Sequence, residues 1–490
     1  MAAVRFACSA AVALGLLCST AQAADLPVLQ DGGGITRRDD PGVAARDRTP
    51  PTNLRERSYA SARASAKKRT VAGELDRMLA AGQIDQATRD RRRAEYDSFR
   101  RAVRKFGGSR RTDMAGVLGV VDGIAARGQL TPSRLPALWL TMQRNRQWWN
   151  EGPLLASGAR VSFEGSELVW QYVPGEGLAI HPLANFGKLN ALWRSKLTID
   201  RMQALMDELL ALPADRAGGV AWEYYFDFGG GAPPWVSSLA QGTGLQALSR
   251  AALKSGRGAE LMPLLHRALG IFRTAPPEGV RTPVDGGIHY LQYSFAPGLR
   301  ILNGFIQSLV GLHDFAVNAA DADAQTLFAE GDAAARVEVP TYDTGAWSLY
   351  SRGTNTHESD LNYHGVLRDF LASLCDRTGE PVYCDEVDRL NAYLKTSPVV
   401  SVVSKQLRGG RQGMLKFKLS KISRVTVRLR RGSTTVLYRS AVLGYGLKSE
   451  LFQVPRRAGA YSVSIAATDL AGNAASAVGT VRVLKPRKRA

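Results

Sequence analysis

Apolar residues follow two different periods along the chain. From about residue 69 to residue 397 they recur at helical spacing; after about Pro398 they alternate with polar ones. In RAEYDSFRRAVRKFG, Tyr96, Phe99, Val103 and Phe106 form one stripe that stops at Gly107, and PSRLPALWLTMQRNRQWW continues the helical reading to Trp149. The stretch ARVSFEGSELVWQYVPGEGLAIHPL then alternates around Gly165-Ser166, a two-residue hairpin turn. Helical stretches follow in LNALWRSKLTIDRMQALMDELLAL, PPWVSSLAQGTGLQALSRAALKSG, LMPLLHRALGIFRT, GLRILNGFIQSLVGLHDFAVNA and YHGVLRDFLASLCDRTG. In the fourth, Leu299, Leu302, Phe305, Ile306, Leu309 and Leu312 make a wide apolar stripe that needs a neighbour to cover it. A series of such helices predicts stacked antiparallel pairs closing into an α/α toroid; an open bundle satisfies the same pattern.

The period-two section, in GMLKFKLSKISRVTVRLRRGSTTVLYRS and GAYSVSIAATDLAGNAASAVGTVRVL, predicts an immunoglobulin-like β-sandwich over residues 400–486. The fold class is thus a multidomain α+β chain, mainly an α-helical (α/α) toroid, with a small β-hairpin section and a C-terminal sandwich. Residues 69–150 read as a helical N-terminal region and 151–397 as the toroid domain. Residues 24–68, rich in Asp, Arg, Pro and Ser, hold nothing that would bury a core and read as a flexible leader. Residues 1–23 read as an export signal: Arg5, an apolar run from Phe6 to Leu17, and a small-residue cleavage site at Ala21-Gln22-Ala23. The run is too short to span a bilayer. Cys18 follows Leu16-Leu17 rather than a small residue, which argues against a lipid-anchored cysteine. The chain is therefore expected to be secreted or held in the cell envelope.

Export bears on the cysteines. Cys8 and Cys18 would leave with the signal, and Cys375 and Cys384 flank a Gly-Glu-Pro turn outside the reducing cytosol, where a disulfide is expected. Closing so short a loop stabilises by roughly 2.5–3 kcal/mol in the chain-entropy picture. The net charge of +20 over 490 residues suggests a polyanion. An exported chain without a nucleic-acid motif points away from nucleic acid and toward an acidic polysaccharide or an anionic envelope surface. An Ala- and Arg-rich composition accounts for the charge equally well. Solvation likewise accounts for the Lys and Arg at alternate sandwich positions, as does docking to a polyanion.

Several short motifs carry less than they suggest. Asp343-Thr344-Gly345 lacks the second such aspartate that an aspartic protease needs, and reads as a turn. QGTGLQAL lacks a preceding strand and a third glycine, so it is no dinucleotide fingerprint. None of the six histidines has helical metal-binding spacing. The tyrosines differ. Tyr293, Tyr350 and Tyr363 are expected at or just before helix starts, the ends that open onto the cavity of a toroid. Each alone is a core aromatic. As a group beside Arg352 and His364 they are candidate acid–base equipment, because a phenol is useful near neutral pH only with a cation nearby.

PPWVSSLAQG, YSFAPGLRILNGFIQSLVGL, YDTGAWSLY and NYH occur in an order and at intervals that resemble the C-terminal domain of D-glucuronyl C5-epimerases, over about Trp235 to Leu394. Weaker similarity reaches back to PGEGLAIHPLANFGKLN. The resemblance implies an (α/α) toroid and an isomerase that inverts C5 of a uronic acid within a glycan, with neither metal nor nucleotide cofactor. It takes the proton beside the carboxylate and returns it from the other face, which needs acid–base groups on both faces and donors on the carboxylate. On that resemblance Tyr350 and Tyr363 are the acid–base pair and Tyr293 orients the sugar. Arg352 and His364 hold the carboxylate, and Gln292, Asn303, Trp235 and Gln241 are sugar contacts. Two departures stand out. Gln292 replaces a glutamate, and the loop between Tyr350 and Tyr363 is shorter than in the animal enzymes. Glu358 and Asp360 in that loop are candidate replacement carboxylates. A polysaccharide lyase using the same carbanion, or a non-catalytic binder of acidic glycan, accounts for the same parts.

Overall fold

The computed structural model describes residues 24–44 and 69–486. The expected export signal and residues 45–68 of the expected leader lie outside the described residues. The described part of that leader is not flexible chain. It forms β1 (Ala24–Leu29) and β2 (Ile35–Asp40), an antiparallel hairpin with Leu26, Leu29 and Val43 fully buried. Its polar composition misleads because the charges pair inside the protein. Asp40 is fully buried and meets Lys188 Nζ at 3.0 Å, Arg38 Nε at 3.0 Å and Arg201; Lys188 is fully buried too and also meets Glu167 at 2.7 Å.

The helical part begins with α1 (Val71–Ala80), α2 (Gln86–Val103), α3 (Gly108–Ala126) and α4 (Leu135–Glu151). Thr70 and Asp85 cap α1 and α2 by accepting from Gly73 and Thr88 amides. Strands β3 (Arg160–Phe163), β4 (Trp170–Val173) and β5 (Gly177–Ile180) follow, and β1 lies parallel to β3, so the sheet order is β2-β1-β3-β4-β5. The register Val161↔Trp170 centres the β3–β4 hairpin on Gly165-Ser166, as the alternation predicts.

Next come α5 (Pro182–Arg194), α6 (Ile199–Leu210), the small hairpin β6 (Ala214–Arg216) and β7 (Gly219–Ala221), α7 (Ser238–Lys254), α8 (Gly258–Arg267) and α9 (Gly270–Arg273). Strands β8 (Arg281–Val284), β9 (Gly287–Tyr290) and β10 (Leu299–Ile301) lead into α10 (Leu302–Ala319) and α11 (Ala322–Glu338). Then β11 (Leu349–Gly353) and β12 (His357–Glu358) pair with β10, before α12 (Leu361–Thr378) and α13 (Pro381–Tyr393).

Helices α5, α7, α10 and α12 pack in a row, and α6, α8, α11 and α13 back them in turn. Residues α7 and α10 share come very close: a Cβ on Gly311 would lie 2.0 Å from the Gly242 carbonyl oxygen. The predicted stripe of α10 is buried throughout, and one apolar core runs from Leu29 through α1–α4 to Leu390. Cys375 and Cys384 form the expected disulfide between α12 and α13, with Cα atoms 5.2 Å apart. No helix among the described residues is long and apolar enough to cross a membrane.

The C-terminal unit has eight strands: β13 (Val400–Val402), β14 (Gln406–Arg408), β15 (Gln412–Leu419), β16 (Ser423–Arg431), β17 (Thr434–Leu443), β18 (Gly446–Gln453), β19 (Gly459–Asp469) and β20 (Ala474–Leu484). They form two sheets, β13-β15-β18 and β14-β20-β19-β16-β17, over a shared core that includes Phe417, Val427, Val463 and Val481. Alternation decides what faces in. Leu415, Phe417 and Leu419 are buried while Met414, Lys416 and Lys418 face water, and Arg424, Arg428 and Arg430 face out from β16.

Candidate active site

The three tyrosines gather in one aromatic cluster. Its buried members include Tyr224, Phe226, Trp235, Tyr293, Phe295 and Tyr350, with Phe228 and Tyr363 packed at its edge. Only Tyr363 lies at a helix start. Tyr293 is in the loop between β9 and β10, and Tyr350 is on β11, because residues expected to lead into helices fold instead into the β10-β11-β12 sheet. The Tyr350 and Tyr363 rings meet edge to face, with centroids 4.8 Å apart. Tyr293 lies 5.8 Å from Trp235, which stacks on Tyr224 at 4.0 Å.

Gln292 joins this group: its Nε2 donates to Tyr293 Oη at 2.9 Å. Its Oε1 is buried without a hydrogen-bond partner and presses on the backbone of the Leu302-Asn303-Gly304 turn, where a Cβ on Gly304 would lie 2.3 Å from it. Asn303 Oδ1 and Tyr350 Oη are likewise buried and unmatched. Tyr350 Oη lies beside the Tyr293 phenol and the Gln292 amide but meets neither in good hydrogen-bond geometry. Burial, followed by the neighbouring phenols, raises Tyr350 well above the ordinary value, so it is protonated at neutral pH. None of the groups that act most on it is a cation.

The expected cations are elsewhere. His364 is fully buried, stacks on Trp347 at 3.8 Å, and has Nε2 3.1 Å from the Leu390 carbonyl and Nδ1 2.8 Å from Ser348 Oγ. Burial lowers its pKa to about 4, so it is neutral and shut away from solvent. Successive residues on a helix point about 100° apart, which is why Tyr363 reaches the cluster and His364 does not. Arg352 lies 5.8 Å from the ring of Tyr342, which belongs to the main apolar core and not to this cluster. A spacing of two along a strand would put it on the Tyr350 face, but the register shifts between Leu349 and Ser351, and such an irregularity re-aims side chains. Gln241 is anchored by donating to the Trp222 carbonyl at 2.9 Å, and its Oε1 is unmatched.

Glu358 and Asp360 are not replacements for the missing glutamate. Asp360 caps α12 by accepting from the Tyr363 amide at 2.7 Å. Glu358 accepts from the Ile422 and Tyr445 amides of the C-terminal unit. Asp343 accepts from the Gly345 amide and the Tyr393 hydroxyl, confirming the Asp-Thr-Gly tripeptide as a turn.

The sequence reading passed over three groups. His181 lies edge to face with Tyr224 at 5.3 Å and caps α5 with Nδ1. Glu176 accepts from the Asp227 amide beside Phe228, and burial lifts it to about 7. Arg300 pairs across the sheet with Arg352, and both act on Tyr342. The first two lie in PGEGLAIHPL, so the weak similarity there was the available signal. Two small cavities, lined by Val117, Leu138 and Glu176 and by Ala137, Trp222 and Glu223, share Tyr225 and include none of the three tyrosines.

The family model of the D-glucuronyl C5-epimerase C-terminus matches residues 217–392. This segment is similar to the C-terminal part of D-glucuronyl C5-epimerases. Over 179 residues the chain is 32% identical to D-glucuronyl C5-epimerase of Caenorhabditis elegans, covering 33% of this chain and 29% of that protein. Over 171 residues it is 25% identical to the uncharacterized protein MJ1128 of Methanocaldococcus jannaschii, covering 34% and 54%. The chain thus spans under a third of the first relative and about half of the second. Two solved structures overlap it loosely. A sugar epimerase from a ruminal bacterium shares 13% identity at TM-score 0.37, over 48% of this chain and 66% of that one. A cellobiose 2-epimerase from Bacillus thermoamylovorans shares 10% at 0.35, over 53% and 71%. Overlaps at this level define no common fold. All three tyrosines, Gln292, Asn303 and Trp235 fall inside the matched segment; Glu176 and His181 precede it.

Proposed function

We propose that the protein is an exported carbohydrate epimerase that inverts C5 of a uronic acid in an acidic polysaccharide. The observation that carries this reading is the convergence of Tyr293, Tyr350 and Tyr363 with Gln292 in one cluster of the matched segment. Buried polar atoms without partners cost roughly 1–3 kcal/mol each. In this reading sugar hydroxyls would satisfy those of Tyr350, Gln292 and Asn303. Tyr350, held protonated, is suited to return a proton to C5; Tyr363, half-exposed at the edge, would act as a phenolate that takes the proton from the other face and becomes the phenol. Arg352 and Arg300 would engage a carboxylate on a neighbouring sugar.

The row of paired helices supports reading residues 151–397 as an (α/α) toroid domain after a helical region at 69–150. The sheet orders, with β14 parallel to β20, support an immunoglobulin-like identity for residues 400–486. Tyr461 near the start of β19 donates to the Arg457 carbonyl four residues upstream, as a tyrosine corner does. An N-terminal signal would place the protein outside the cytosol, at the cell envelope or beyond it.

The test is incubation with uronate polymers in deuterated water. Uptake of deuterium at C5 without new ultraviolet absorbance supports the epimerase. Uptake with an unsaturated product indicates a lyase. A second reading, non-catalytic binding of acidic glycan, is favoured by Gln292 in place of a glutamate and by the lack of a cation among the groups that act most on Tyr350; salt-dependent binding without exchange decides for it.

A further inference from the structure

The epimerase match ends at residue 392, yet the C-terminal unit reaches back to the strand paired with that of Tyr350. Three of its loops meet the helical body. Ahead of β16, the Ile422 amide donates to Glu358 Oε1 at 2.7 Å. Between β17 and β18, the Tyr445 amide donates to Glu358 Oε2 at 2.6 Å. Between β19 and β20, Asn473 Nδ2 donates to the Leu394 carbonyl at 2.9 Å. Glu358 therefore spends both carboxylate oxygens on backbone of the appended unit. A Cβ on Gly444 would lie 2.8 Å from Oε2, so this approach needs a glycine there.

Glu358 occupies a decisive place in the chain. It ends β12, pairs with Leu349 next to Tyr350, and stands two residues before Asp360, the cap of the helix that carries Tyr363. β12 has only two residues, too short to hold itself in place. A second contact runs in parallel. Lys421, fully buried against Asp469 at 2.5 Å, lies 5.4 Å from the Trp347 ring, and that ring stacks on His364, the neighbour of Tyr363. His364, removed from the carboxylate site, is thus a support of the loop.

We propose that the C-terminal two-sheet unit is a positioning element of the tyrosine site. Glu358 is the staple that holds Tyr350 and Tyr363 at their mutual distance. The epimerase reading is needed only for the kinetic part of the test. In the full chain, Glu358→Ala removes both acceptors. Amide exchange across residues 349–364 should then quicken at least ~10-fold while the cores of β16 and β19 keep wild-type protection. C5 exchange should lose kcat by about 10–100-fold with KM within about 3-fold, because the loss falls on alignment rather than on binding. Glu358→Gln, which keeps one acceptor oxygen, should lie between; it carries the same comparison if the alanine variant does not fold. Wild-type exchange rates in 349–364 overturn the proposal, and so does quickening spread evenly over the whole chain. If the wild type shows no C5 exchange, the epimerase reading fails, and amide exchange alone decides the staple.

Discussion

Two buried polar regions of this molecule are built on opposite terms. Around Glu223 every strong group has a partner. Arg134 donates to both carboxylate oxygens at 2.7 and 2.8 Å, Arg216 adds a third bond at 2.7 Å, and Tyr225 Oη a fourth at 2.9 Å. Around Tyr350, Gln292 and Asn303, buried oxygens go unmatched. The first arrangement is what a fold needs, since an unpaired buried charge is very costly. The second costs stability and serves only if something polar comes to it. Satisfaction, more than burial, separates these two clusters.

The largest effect should come from breaking the satisfied cluster. Glu223→Ala leaves two buried guanidinium groups without their carboxylate and should cost about 3–5 kcal/mol by denaturant unfolding. A loss below ~1 kcal/mol would erase the contrast. Next, Tyr350→Phe and Tyr363→Phe should each lower C5 exchange at least ~10²-fold, about 2.7 kcal/mol of barrier. Tyr350→Phe should leave stability within about 1 kcal/mol of wild type, or raise it, since it deletes an unmatched hydroxyl. Unfolding of that variant would mean its hydroxyl is structural after all.

The smallest effect concerns Glu176, beside the aromatic cluster. Burial, aided by the charge of Asp227 against the pull of its amide, lifts this carboxyl from 4.5 to about 7. The folded protein then holds the proton more tightly than the unfolded chain. Stability should fall as pH rises from 4.5 toward 7, with the penalty complete above that. Glu176→Gln should therefore gain on the order of 1 kcal/mol over wild type near pH ~8 and nothing near pH ~4. An equal shift at both pH values would show that the ionised carboxylate is not what costs stability there.

Much of the architecture was legible along the chain. The apolar stripe of α10, the hairpin centred on Gly165-Ser166, the disulfide and the alternating strands after Pro398 all follow from period and turn chemistry, which act within a few residues. The N-terminal hairpin was not legible. Its aspartates and arginines look solvated until Lys188 and Arg201, far along the chain, come to meet Asp40. In the site, the grouping of Tyr293, Tyr350 and Tyr363 and the role given to Arg352 came from linked motifs, whereas the role given to His364 came from adjacency. Both roles fail because neighbours on a helix or an irregular strand point in different directions.

The order of residues by itself determined where the long helices and the C-terminal strands form, and which side of each is apolar, because those preferences are local. Tertiary structure alone decided which polar groups end up paired and which are left open. It also made Glu358 a link to the C-terminal unit rather than a base. The reason is that hydrogen-bond partners distant in sequence exist only once the chain has packed, and desolvation makes each such pairing count.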